Sequence, residues 1–224
     1  MSLDATLDEV QNSRFRNIYN QLVKQYEKKS QFNEVELFCI LLVYHKFALR
    51  NGIKAKYITK KQLANVFEVC FKISEVFTVE RITSIIAKDT KKEIDPMGWL
   101  NLFEVFMTND LETKMKFCFQ VYDFHGVGGL NREVVTKYVE KFFKSDDEDE
   151  AGELVVSMLD LLFKKFDIDK DGVISFEDYS TVVRQQPLLL EFLGSCMPEV
   201  SNLTTVAYCS NVLSKITDFD KSSE

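Results

Sequence analysis

The sequence predicts an all-α protein of two lobes. Each lobe is a pair of helix-loop-helix units joined by a short β-bridge, and a further helix lies at each end. Three observations predict this. The segment Asp167–Asp178 is a twelve-residue acidic loop with Gly172 in sixth place. Three weaker copies of "apolar residue, helix cap, helix" precede it. The 224 residues also hold 19 Phe but only 8 Gly and 3 Pro, too few turn formers for a β-sandwich, which needs a turn about every 8–12 residues.

Taken in order, residues 3–28 place Leu3, Leu7, Val10, Phe15, Ile18, Leu22 and Tyr26 mostly three or four apart, the period of an amphipathic helix. Ile58 then precedes Thr59 and Gln62, a T-x-x-Q capping box. Ile94 precedes Asp95 and Pro96, with proline where the first helical N–H needs no partner. Leu130 precedes Asn131, and Ile174 precedes Ser175 and Asp178, an S-x-x-D cap. Positions 58, 94 and 130 are evenly spaced by 36 residues, and 174 follows after 44. The excess fits an insertion in the acidic stretch 144–153, read as a solvated linker or helix end. Repeats of this kind pair, so Ile58 should bridge Ile94, and Leu130 should bridge Ile174.

Aromatic residues stand one and four places before the last two loops: Phe163 and Phe166, Phe119 and Tyr122. Others follow the loops: Trp99, Phe103 and Phe106, Phe176 and Tyr179. They mark shared cores and account for the phenylalanine excess. The expected organisation is an N-terminal helix (1–32), an N-terminal lobe (33–108), a C-terminal lobe (109–186) and a helical tail (187–224). In the tail, Pro187–Leu193 is densely apolar, and Leu203, Val206, Cys209, Val212, Leu213 and Ile216 recur at helical spacing. The apolar stretch reads as a cover for the second lobe's groove rather than a partner-binding surface.

The acidic loop matches the calcium-loop pattern D-x-[DN]-x-[DN]-G of an EF-hand. A hard divalent cation takes oxygens from loop positions 1, 3, 5, 7, 9 and 12. Here these are Asp167, Asp169, Asp171, the Val173 carbonyl, Ser175 and Asp178. The twelfth is Asp rather than Glu and one methylene short of bidentate reach. Lower coordination lets Mg²⁺ compete with Ca²⁺. The loop starting at Asp123 carries His125, Val127 and Val134 at positions 3, 5 and 12. The loop 87–98 has Asp89, Glu93 and Asp95 but Lys92 where glycine should turn the chain. The loop Asn51–Gln62 has Lys54, Lys56 and no carboxylate. The expectation is four scaffolds and one ion.

The formal charge of −7 lacks the basic field that nucleic acid requires. Cys39, Cys70, Cys118, Cys196 and Cys209 form no C-x-x-C pair, and His45 and His125 are the only histidines. Neither a zinc site nor a catalytic triad is indicated, so no catalytic residue is expected. His45 reads as a surface or boundary residue. The opening residues lack the charged-then-apolar pattern of a secretory leader, and Ser2 stands where N-myristoylation needs glycine. With no apolar run of about 18 residues, no membrane anchor is expected.

Leu111–Asp123, the Asp167–Asp178 loop, Tyr179–Gly194 and Cys196–Pro198 resemble the neuronal calcium sensor superfamily, and within it the EF-hand proteins of motile cilia and sperm flagella. The similarity covers roughly residues 30–200. It implies a calcium-binding adaptor or sensor of the cytoplasm and axonemal cytoskeleton, associated with the outer dynein arm or its docking complex and tuning ciliary beating. Its partner would be a coiled coil presenting a helix to a groove. That family's pattern has three calcium loops, whereas this sequence keeps only the fourth. The alternative is a calcineurin B-like or channel-interacting regulatory subunit, which would use the same helix-in-groove recognition.

Overall fold

The computed structural model describes residues 8–52, 55–87, 93–143 and 148–210. Residues up to Asn109, together with those from Pro198 onward, make one compact unit; Asp110–Met197 make the other. The fold is all-α, with EF-hand lobes and, among the described residues, two small two-stranded sheets.

In the first unit, α1 (Glu9–Tyr26) starts at a capping box between Asp8 and Gln11. Its buried face runs through Phe15, Tyr19, Val23 and Tyr26. That corrects part of the sequence reading: Val10 and Ile18 are more than half exposed. Tyr19 displaces Ile18 because its ring packs edge-on against Tyr44 and beside Phe15. Leu3 and Leu7 lie outside the described residues. Helix α2 (Glu34–Leu49) is capped by Asn33 and Glu36 and buried on most sides. The expected Thr59–Gln62 box opens α3 (Lys60–Val66). A π-helical turn, Phe67–Phe71, continues it and ends at Lys72 in the left-handed region (φ 57°). Helices α4 (Val76–Ile86) and α5 (Pro96–Met107) complete the pair, α5 starting at Asp95 with proline in its first turn.

The strands β1 (Ile58–Thr59) and β2 (Glu93–Ile94) pair antiparallel with Ile58 opposite Ile94, the expected register. The Tyr44 hydroxyl lies 2.8 Å from the Ile94 carbonyl and 3.0 Å from that of Lys56, tying α2 to the bridge region. The Trp99 indole N–H donates to the Ile40 carbonyl. Phe67, Phe71, Phe103 and Phe106 pack ring against ring and are essentially buried. These four rings form the lobe's core.

In the second unit, α6 (Leu111–Tyr122) begins at Asp110 and α7 (Arg132–Val139) at Asn131, each carboxylate or amide oxygen accepting from an N–H three residues on. Helix α8 (Glu148–Phe166) takes up the later part of the acidic stretch; residues 144–147 lie outside the described set. Helix α9 (Phe176–Gln185) follows the Ser175–Asp178 capping box. Strands β3 (Gly129–Asn131) and β4 (Val173–Ser175) pair with Leu130 opposite Ile174, again as expected.

The chain then folds back over the second unit. Phe192 stacks on Phe166 at 4.1 Å between centroids and meets Tyr122 and Tyr179 at 5.6 Å. The hydroxyls of Tyr179 and Tyr122 donate to the carbonyls of Leu190 and Gly194. Pro187–Leu193 thus covers the aromatic face, while Leu188 remains exposed to water. Helix α10 (Val200–Ser210) belongs to the first unit, where it contacts α2 and the π-helical turn and buries Leu203, Val206 and Ala207. Val212, Leu213 and Ile216 lie outside the described residues.

Candidate metal site

The fourth loop is shaped by backbone chemistry before any ion is considered. Gly172 adopts φ 86° at the sixth position, where a side chain would be strained, and Lys170 also takes a positive φ of 62°. The Asp167 carboxylate spans the turn, accepting from the Asp171 N–H at 3.1 Å and the Gly172 N–H at 3.0 Å. Asp171 in turn accepts from the Val173 N–H at 2.7 Å. These bonds tie the Asp167 and Asp171 carboxylates to the backbone of the turn.

Carboxylate oxygens of Asp167, Asp169 and Asp171 all lie within 4.8 Å of one another. Oxygens sharing one calcium ion sit at about 2.3–2.6 Å from it, and so at most about 5 Å apart. The cluster fits a hard divalent cation by both donor chemistry and spacing. Its charges are mutually unfavourable. The Asp171 N–H draws the Asp169 carboxyl downward, yet desolvation and the negative charges of Asp171, Asp178 and Asp167 outweigh it and raise its pKa. A bound cation would convert that repulsion into attraction.

Asp178, in twelfth place, is buried, and its charge acts on Asp169. Its Oδ2 accepts from both the Ser175 N–H (3.0 Å) and the Ser175 hydroxyl (2.6 Å). Two predicted ligands are therefore engaged with each other. Val173 lies in the bridge strand opposite Asn131, adjoining the acidic turn.

The other loops close without an acidic cluster among the described residues. In the third, Asp123 accepts from the Val127 N–H at 3.1 Å and the Gly128 N–H at 2.7 Å, repeating the contacts of Asp167. Gly128 has φ 81° at the sixth position. Val134, in twelfth place, is buried and offers no oxygen from its side chain, while His125 is exposed and packs beside Phe124. In the second loop, Asp95 is committed to the Gly98 N–H as a helix cap. Gly98 occupies the closing position, where an added Cβ would lie 2.9 Å from the Ile86 carbonyl oxygen. No acidic side chain fits there without backbone movement. Asp89 and Lys92 lie outside the described residues.

The first loop uses a device that carboxylate counting missed. The Asn51 side-chain amide donates to Gln62 Oε1 at 2.8 Å and to the Tyr57 carbonyl at 3.1 Å. First and twelfth positions, which an ion would bridge, are joined directly by two amides. Asn and Gln at those two positions were the available signal. Lys54 lies outside the described residues. His45 sits at the boundary of the core against Phe15 and Tyr19, and burial lowers its pKa.

This geometry is that of paired EF-hand helix-loop-helix units, one of which carries an acidic loop suited to a divalent cation. Residues 112–184 match the family described as an EF-hand domain pair. More narrowly, the chain is similar to calaxin. It is 28% identical to human calaxin over 75% of this chain and 81% of the relative. It is 25% identical to zebrafish calaxin over 84% and 90%. Guanylyl cyclase-activating protein 1 of the frog Lithobates pipiens is 29% identical over 45% of this chain and 48% of its own length. Calcium is the ion that this motif and these relatives support. No helix among the described residues is long and apolar enough to cross a membrane.

Proposed function

We propose that the protein is a non-enzymatic calcium-binding adaptor of motile cilia and flagella, associated with the outer dynein arm or its docking complex. Similarity to calaxins across most of both chains supports the setting. The observation that carries the ion-binding part is the cluster of Asp167, Asp169 and Asp171 in one loop, against three loops that close through amides, a lone carboxylate or a helix cap. One ion binds per chain, held by these three carboxylates with the Val173 carbonyl, Ser175 and Asp178, and Mg²⁺ competes for it.

The first unit has no calcium loop of its own in this reading, so calcium cannot gate it directly. A ligand shifts an equilibrium only through different affinity for the two states. The partner, a helix of an axonemal coiled coil, is therefore held largely without calcium, and the ion tunes the second unit. Pull-down from ciliary axonemes with and without EGTA tests this. Retention of outer-arm or docking-complex proteins in EGTA is expected. Complete, reversible release at submicromolar free calcium would instead identify a switch. The guanylyl cyclase-activating relative favours an enzyme- or channel-regulatory subunit as the alternative, but over less than half the chain. Co-purification with such a complex rather than with axonemal proteins would establish it.

A further inference from the structure

Cys118 lies in α6 and Cys196 in the segment that folds back over the second unit. Both thiols are free and fully buried, and their sulfurs are 3.3 Å apart. The Tyr122 hydroxyl, 3.7 Å from the Cys196 sulfur, anchors the same segment through Gly194. Nothing in the ion-binding or adaptor reading uses these thiols. Most buried cysteines merely fill a core, but few face a second thiol at this separation across such a cover. Bringing two sulfurs from here to a covalent bond of about 2.05 Å requires a shift of little more than an ångström.

We propose that Cys118 and Cys196 form a peroxide-driven, reversible disulfide that locks the 187–197 segment over the aromatic face of the second unit. The closed arrangement protects itself. Burial, first of all, raises the Cys196 pKa, and neither sulfur is accessible to an oxidant. Oxidation therefore begins when the segment lifts and Cys196 meets water. Its thiolate attacks the O–O bond of a hydroperoxide. The sulfur is oxidised to sulfenic acid, and the peroxide is reduced as hydroxide or alkoxide leaves and takes up the thiol proton. When the segment recloses, the Cys118 sulfur attacks the Cys196 sulfur. The S–S bond forms, the S–OH bond breaks, and hydroxide leaves with the Cys118 proton as water. One peroxide is consumed per disulfide, and a small thiol reverses it by exchange. The lock depends on neither calcium nor an axonemal partner, so it can fail without affecting those proposals.

The test uses the full chain, reduced, then treated with hydrogen peroxide and afterwards alkylated in denaturant. Peptide mass mapping should find Cys118 joined to Cys196 within monomeric protein, reversed by dithiothreitol. Amide exchange over 189–197 should slow by roughly tenfold or more in the oxidised form, as expected when local opening is blocked. Cys196→Ser should abolish both effects; the wild-type mapping needs no variant to fold. Three results would each overturn the proposal: both cysteines recovered as separate thiols, either found mainly as sulfinic acid or linked to another cysteine, or a Cys118–Cys196 link that leaves amide exchange unchanged.

Discussion

The Asp178 carboxylate accepts the Ser175 hydroxyl at 2.6 Å and the Ser175 N–H at 3.0 Å through the same oxygen. These residues hold the ninth and twelfth loop positions, so the bond that starts α9 also fixes the side chain meant to close the metal site. One Asp178 oxygen remains for an ion, and a second could reach it only if α9 moved in. Lengthening the side chain should remove that conflict. Asp178→Glu is expected to raise the calcium-to-magnesium affinity ratio by about tenfold, since calcium accepts a bidentate seventh ligand and magnesium does not. Competition titration measures the ratio. Weaker calcium binding with unchanged magnesium binding would refute the distance argument.

The raised Asp169 pKa gives a pH-dependent consequence without metal. The folded protein holds this proton more tightly than the unfolded chain. The associated stability is present below the ordinary value of 3.8 and is lost as pH rises through the raised folded value. Asp169→Asn removes the repulsion. In EDTA it should raise the urea midpoint at pH 7 relative to wild type, with the advantage shrinking toward pH 3. In calcium the order should reverse, because the variant loses a ligand.

The amide clasp of the first loop predicts a structural effect with no effect on ions. Gln62 accepts from Asn51 and the Thr59 N–H, and donates to the Phe47 carbonyl. Gln62→Ala should cost about 1–2 kcal/mol in denaturant unfolding, the range for losing a capping side chain and its partners. The number of calcium ions bound should not change.

His45 supplies an acid limb to the first unit's stability. Its pKa lies below the ordinary 6.5 because of burial, so the unfolded chain takes up this proton first. Stability is full above pH 6.5 and falls as pH drops through that value toward the lowered one. His45→Phe should flatten this part of a pH–stability profile; an unchanged slope would show that another group sets it.

Much of the frame was legible because it rests on local chemistry. The caps at Thr59, Asp95, Asn131 and Ser175 follow from side chains that satisfy N–H groups a few residues away. Once they were placed, the apolar residue before each gave the register of both bridges. Tertiary choices were less visible. Periodicity could not decide between Ile18 and its neighbour Tyr19, because the decision rests with Tyr44 and Phe15. The conflict between Gly98 and the Ile86 carbonyl comes from helix approach, which spacing does not encode. The Asn51–Gln62 clasp is invisible to a count of carboxylates, because two amides close the same gap with each other.

Calorimetric titration of the metal-free full chain with calcium, with Asp167→Ala as control, tests the central claim most directly. One site per chain, competed by magnesium and absent in the variant, is the predicted result. Two or more calcium sites of comparable affinity, or a site that survives Asp167→Ala, would contradict it.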